Sequence, residues 1–286
     1  MAELRQSPAG FALGFAGDSF NTAVYLRRLG AKVDYLTRVG MDPLSNGFLA
    51  AAEAEGVGTR AIRRETGRNL GIYAVATDAK GERSFSYWRA QSAARLMFQD
   101  AADLDALEAA DVLVISGISL AILAPFAREA LLGRIAALRP KLRLAFDSNF
   151  RPALWEDAQT ARQVMRRAWA LTDFALPSVD DEQALWGDTD AAEVVARLRG
   201  WGLADGALKC GAHGVLPLDP SLPTPRLPPA RKVVDTTAAG DSFNAGWLSA
   251  RLAGRNSAIA EGHALACHVI GQPGAIVDMA GFQPTF

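Results

Sequence analysis

No stretch of this chain strings together the roughly 18 uncharged apolar residues that a membrane-spanning helix requires. The opening MAELRQSPAG also lacks the basic and then apolar layout of a signal peptide. The expectation is a soluble, cytoplasmic protein with no membrane partner. Charge of one sign is equally scarce: 30 Lys and Arg stand against 31 Asp and Glu, a formal net charge of -1. Such a balance leaves no broad cationic face to neutralise a phosphate backbone, so nucleic acid is not an expected partner. Cys210 and Cys267, the two cysteines, sit far apart in apolar runs with no CxxC or Cys/His spacing, which argues against zinc and for buried free thiols. His213, His263 and His268 read as structural or surface residues. Internal repeats, low-complexity tracts and linkers are also missing. What remains is 286 residues, half of them apolar, enough for one large core with a small appendage.

From residue 100 onward, short apolar runs alternate with helical patterns, as in a parallel sheet covered by helices on both faces. The runs Asp111–Ser116, Leu142–Asp147 and Phe174–Pro177 are each followed by polar or turn residues before a helical stretch. In open α/β sheets the ligand crevice lies beyond the carboxyl ends of the strands, which puts Ser116, Asp147, Asn149, Arg151 and Ser178 beside it. The first hundred residues read differently. Leu70–Thr77 and Arg83–Arg89 flank the hairpin-like turn Asp78-Ala-Lys-Gly81. A second pair, Met1–Leu4 and Phe11–Phe15, flanks Ser7-Pro-Ala-Gly10, giving a small sheet able to cover the crevice as a lid.

The densest chemistry lies in Val233-Val-Asp-Thr-Thr-Ala-Ala-Gly-Asp-Ser-Phe-Asn-Ala-Gly-Trp247, read as a strand, a loop of small residues, and a helix starting near Gly240. Free N–H groups and the macrodipole at such a start attract an anion, and the small Ala238, Ala239 and Gly240 let it approach the backbone. Asp241 beside an anion is out of place unless it takes a proton from a hydroxyl that attacks the phosphate. A plain helix-capping Asp accounts for the spacing equally well. Near the other end, Gly14-Phe-Ala-Gly17-Asp18-Ser-Phe-Asn21 precedes a second helical stretch that runs to Leu29-Gly30, where a cap by Asp18 or Ser19 is the alternative.

The stretch DTTAAGDSFNAG resembles the C-terminal signature of the ribokinase-like (PfkB) sugar kinases, with Ala238 replacing the first Gly of the usual Gly-Ala-Gly-Asp core. The N-terminal stretch resembles that family's first signature, about 220 residues away. The resemblance implies a three-layer α/β/α sandwich with a mostly parallel central sheet and a small β lid. The main domain would comprise 16–68 and 93–286, the lid 1–15 and 69–92. It also implies ATP and Mg2+, with Asp241 as catalytic base and Ala238, Ala239 and Gly240 as anion hole. Gly17, Asp18 and Asn21 would hold sugar hydroxyls, and Asp235 and Thr236 would be phosphate-loop or cation-site positions. Lys209-Cys-Gly211-Ala-His-Gly214 resembles the segment along the nucleotide phosphates and ribose. Ser178 and Asp181 align with a magnesium-water motif usually built from Asn and Glu, so Asp181 alone keeps a metal role.

Several stretches between residues 14 and 246, among them GERSFSYWRAQSAA, FDSNFRPALW and DDEQALWG, resemble the members acting on 2-keto-3-deoxygluconate more than ribokinases or fructokinases. A sugar acid needs fixed donors for its carboxylate. In the resemblance Tyr73, Tyr87, Arg89 and Arg151 face that acid. The expected activity is therefore ATP-dependent phosphorylation of this acid. The alternatives are another sugar or nucleoside kinase of the family and a non-catalytic ligand-binding paralogue. Open strand edges on the lid make a homo-oligomer an expectation.

Family members also begin with an apolar strand, ending in Gly-Glu, just before the position of Met1. Lacking it would uncover neighbours inside the sheet at about 1.5 to 3 kcal/mol per large side chain. A domain stable by about 5 to 15 kcal/mol could hardly bear that. The sequence is thus expected to start at an internal Met of a longer protein.

Overall fold

The computed structural model describes residues 1–7, 10–77 and 83–283. The centre of the Ser7–Gly10 turn and the Asp78–Gly81 turn lie outside them. The chain opens with strands β1 (Ala2–Ser7) and β2 (Gly10–Phe15), helix α1 (Asp18–Arg28), β3 (Thr37–Val39), α2 (Pro43–Ala54) and β4 (Ile62–Arg64). Strands β5 (Ile72–Thr77) and β6 (Arg83–Trp88) and the short helix α3 (Ala101–Asp105) follow. Next come β7 (Val112–Ser116), α4 (Gly117–Ala121), α5 (Pro125–Leu138), β8 (Arg143–Asp147), α6 (Ala158–Leu171), β9 (Phe174–Ala175), α7 (Val179–Trp186) and α8 (Ala191–Gly200). The hairpin β10 (Ala207–Lys209) and β11 (Val215–Pro217) precedes α9 (Ala239–Leu252) and α10 (Ala258–Ile270).

Parallel strands β7, β8 and β9 form the middle of the sandwich, and isolated parallel bridges from Ala175 to Gly206 and from Ser178 to Lys209 carry it on towards β10. Alternation along β8 explains the three layers. Leu144 and Phe146 belong to the core under α5, α6 and α8, where Leu131, Ile135 and Trp169 are nearly inaccessible. Ala145 belongs to the opposite core with Tyr25, Trp247 and Leu265 from α1, α9 and α10. Both faces are thus buried, which is why the strands read as unbroken apolar runs. Helix starts are set locally: Asp42, Asp157 and Asp190 cap α2, α6 and α8, each accepting from a backbone N–H three residues on.

The lid is a four-stranded sheet in the order β2-β1-β5-β6, two antiparallel hairpins joined by parallel pairing of β1 with β5. Its register puts Gly14, Glu3, Tyr73 and Tyr87 on one rung. Side chains on a rung share a face. On this one Tyr73 and Tyr87 look into the crevice.

Among the described residues, the outer edge of β7 carries no partner strand. A groove lined by Leu26, Leu36, Val112, Val114, Leu248 and Leu252 runs along it, continuous with the crevice in one cavity of about 1190 Å³. The strand read at Val233–Asp235 does not form. Val234 and Asp235 instead donate their N–H groups to the Ile270 carbonyl at the end of α10, which occupies the backbone donors a sheet would need.

Candidate active site

Two helix starts meet at the crevice. Before α1, Gly17 takes φ 155° and ψ 150°, a conformation open in practice to glycine alone, and it turns the chain from β2 into the helix. Asn21, in the first turn of α1, donates from Nδ2 to Oδ2 of Asp241 at 2.7 Å, and its own Oδ1 accepts from Gly17 N–H at 3.3 Å. Thr22 Oγ1 donates to the Asp241 backbone carbonyl at 3.2 Å. The two sequence signatures, 220 residues apart, are therefore joined by a direct hydrogen bond. The resemblance gives Asn21 to sugar hydroxyls. Here its amide is taken up by Asp241.

Helix α9 begins on Ala238, at φ 60° and ψ 17°, the left-handed region that a side chain penalises by about 1 to 2 kcal/mol. This is the position where the resembling signature has Gly. No side chain caps α9. Ala239 N–H reaches the Thr236 carbonyl at 3.3 Å, while the N–H groups of Gly240 and Asp241 have no partner among the described residues. Free donors at the positive end of a 14-residue helix can receive an anion. The capping alternative for Asp241 does not hold, since its carboxylate bonds to Asn21 rather than to its own helix start.

Burial, then the negative charge of Asp18, push the Asp241 carboxyl up to about 7; the Asn21 hydrogen bond and Lys209 pull the other way, and Asp147 adds to the rise. A carboxylate poised there can take a proton near neutral pH. Asp18 in turn accepts from Ser116 Oγ and from Asn149 Nδ2 at 2.8 Å. Ser116 and Asn149, expected at the crevice from strand ends alone, are thus fixed on the N-terminal signature.

Among the described residues, the lid brings aromatic rings and the cation of Arg89 to the cavity. Tyr73 and Tyr87 stack with centroids 6.0 Å apart, and the Tyr73 hydroxyl donates to the buried carboxylate of Glu3, leaving its oxygen able only to accept. Arg89 lies over the Tyr87 ring, 4.2 Å from its centroid, and makes no ion pair among the described residues. Burial holds its guanidinium below the ordinary value, and the like charge of Arg151 adds to this. Arg151 faces the same cavity, but Nη1 donates to Asp181 Oδ1 at 2.9 Å. The residue expected on the sugar acid is thus paired with the one expected on the metal. Burial nevertheless raises Asp181 to about 6, since Asp147 offsets part of what Arg151 gives back.

Beside the start of α9, Lys209 Nζ donates to Asp147 Oδ2 and to Asn244 Oδ1, each at 2.9 Å. Gly211 and Gly214 take φ 55° and 89° in a tight turn after β10, outside the cavity lining. Asp235 braces its own loop, accepting from Thr237 N–H at 2.8 Å and Gly274 N–H at 2.9 Å, with Thr236 at the cavity wall. Ser178 lines the cavity at the start of α7, its N–H on Ser148 Oγ. Among the described residues, no three His, Cys, Asp or Glu side chains gather as a metal site. Glu3 and Asn244 escaped the sequence reading, although Asn244 lies three residues from Asp241 on one helix face, a signal that could have found it.

Residues 2–280 match the pfkB family of carbohydrate kinases. The chain is 41% identical to 2-dehydro-3-deoxygluconokinase of Dickeya dadantii over 293 residues, covering 98% of this chain and 94% of that protein. It is 39% identical to the enzyme of the same name from Escherichia coli K12 over 292 residues, covering 97% and 94%. The solved structure of 2-dehydro-3-deoxygluconokinase from Thermotoga maritima superposes with a TM-score of 0.81 at 20% identity, over 97% of this chain and 93% of that one, which shows a shared fold. A match of that extent, on a fold whose two signatures meet at one carboxylate, makes the chain a member of the pfkB family of carbohydrate kinases.

Proposed function

We propose that the chain transfers the γ-phosphoryl group of ATP to the primary hydroxyl of 2-keto-3-deoxygluconate, also called 2-dehydro-3-deoxygluconate. One observation carries the choice of a sugar acid: Arg89, half-buried and without an ion pair among the described residues, shares a cavity with Arg151 and with the Asp241 carboxylate. A neutral sugar would leave that cation uncompensated, whereas a carboxylate relieves it. The names and identities of the relatives support the same reading.

In this reading Arg89, with Arg151 once it leaves Asp181, fixes the acid, and Tyr73 and Tyr87 close over the sugar. Gly17 gives the chain room to turn, while Asp18, steadied by Ser116 and Asn149, holds hydroxyls. Asn21 holds Asp241, and Asp241 removes the proton from the attacking hydroxyl. The free N–H groups at Gly240 and Asp241, opened by Ala238 and Ala239, receive the transferring oxygens. Lys209, Gly211, Gly214, Asp235 and Thr236 border the nucleotide side. Magnesium suits the place, because the carboxylates of Asp147 and Asp181 line the same cavity and repel one another, and burial penalises the charge of Asp181. It screens the phosphate charges when bound, with Asp181 orienting its water.

ADP release measured across 2-keto-3-deoxygluconate, gluconate, fructose, ribose and adenosine tests the reading. Turnover with the keto-deoxy acid at least about tenfold above the others is expected. Equal or faster turnover of a neutral sugar would remove the acid from the assignment.

A further inference from the structure

Lys209, Asp147 and Asn244 form a closed buried ring that the expected roles leave unexplained. Lys209 ends β10, Asp147 ends β8, and Asn244 lies one turn into α9 from Asp241. Besides the two Lys209 bonds, Asn244 Nδ2 donates to Asp147 Oδ2 at 2.6 Å, so each member touches the other two. Three separate elements thus converge on one ammonium. It has three N–H donors, and the third has no partner among the described residues.

The position of Nζ gives this a direction. It lies 3.6 Å from where a Cβ on Gly240 would stand, beside a residue whose own N–H has no partner among the described residues. Lys209, Asp147, Gly240 and Asp241 all line the one cavity. An anion seated on the N–H groups of Gly240 and Asp241 therefore comes within reach of the spare Lys209 donor. A lysine kept only to complete the fold would be sealed on every side, and a buried ion pair is by itself a weak source of stability.

Resting on the kinase reading above, we propose that Lys209 is a catalytic cation that meets the transferring phosphoryl group itself, aimed by Asp147 and Asn244 as positioning residues. As the acceptor hydroxyl oxygen bonds to the γ-phosphorus, the bond to the β,γ-bridging oxygen breaks and its electron pair leaves with ADP. The hydroxyl proton passes to Asp241. Lys209 takes no part in the proton transfer, and Asp147 balances its charge before the nucleotide arrives. This differs from a lysine that merely tethers the nucleotide, which would hold ADP as firmly as the transferring group.

Calorimetric titration with magnesium and ADP, alone and with fluoroaluminate as a planar stand-in for the transferring group, separates the two. In Lys209→Met, magnesium-ADP should bind within about threefold of the parent, while the fluoroaluminate complex weakens about 30-fold or more and kcat falls about 100-fold. Asn244→Ala leaves the Lys209–Asp147 pair in place, and should lower kcat about tenfold with KM for the sugar acid unchanged. Equal losses for ADP with and without fluoroaluminate, or kcat within about threefold of the parent, would overturn the proposal. Should Lys209→Met fail to fold, the same fluoroaluminate comparison in Asn244→Ala decides: an unchanged ratio refutes the aiming, a reduced one upholds it. Because fluoroaluminate binding requires no particular acceptor, a Lys209-dependent complex in a chain that ignores the keto-deoxy acid would uphold the role of Lys209 and reject only the substrate.

Discussion

Asn21→Ala distinguishes a residue that holds the sugar from one that holds the base. In the structure its amide donates to Asp241 Oδ2 at 2.7 Å, a bond that favours the charged carboxylate and restrains a group already pushed up to about 7. A hydrogen bond to a charged group is worth about 1.5 to 3 kcal/mol. At 1.36 kcal/mol per unit, losing it lifts the Asp241 pKa by roughly one to two units. The sign is fixed: with less stabilisation of the carboxylate, more alkali is needed to free the base. At pH 7 the ionised fraction then drops from about one half to between about 1 and 10%, a fall of roughly 5- to 50-fold in kcat/KM. Near pH 9 about half to nine-tenths of the rate should return. The assay is the pH profile of kcat/KM for the sugar acid from pH 5.5 to about 9.5, which reports the free enzyme. A uniform loss at every pH, with the acidic limb unmoved, would refute the argument and return Asn21 to the sugar.

Three further outcomes follow from the same geometry. Arg89→Ala removes the cation without an ion pair among the described residues and should raise KM for the sugar acid about tenfold or more, with ATP binding little changed; Arg151→Ala, which also frees Asp181, should cost less. Equal losses for ATP and acid would count against both placements. Tyr87→Phe keeps the stack with Tyr73 and should weaken acid binding by a few-fold to about tenfold, measured by titration; unchanged affinity would leave Tyr87 to lid packing. Ala238→Gly relieves the left-handed residue at the start of α9, partly offset by the freer unfolded chain, and should stabilise the protein by about 0.5 to 1 kcal/mol in denaturant melts.

Burial patterns made the sandwich legible, because strands covered on both faces read as apolar runs and their carboxyl ends locate the crevice. Ser116, Asp147 and Asn149 were placed beside it on that ground, and the structure bonds them to Asp18 and Lys209. Periodicity cannot report which partner a polar group takes. The pairing of Arg151 with Asp181 and of Tyr73 with Glu3 depends on elements brought together only in the fold, 30 and 70 residues apart. The apolar pair Val233-Val234 carried a strand pattern, yet both are exposed and the backbone there serves the end of α10. Asp241 could be read either as a cap or as a base, and it took the position of Asn21 to remove the cap.

Phosphoryl transfer at this site depends on Asp241 accepting the proton of the attacking hydroxyl, a role that Asp241→Asn removes. An asparagine at that position keeps the shape and can still accept from Asn21 through its side-chain oxygen, so the meeting of α1 and α9 should persist. Titration should show both ligands binding, while kcat falls by roughly 10² to 10⁴, as for loss of a general base. Turnover within about threefold of the parent, in a variant whose circular dichroism is unchanged, would contradict the account.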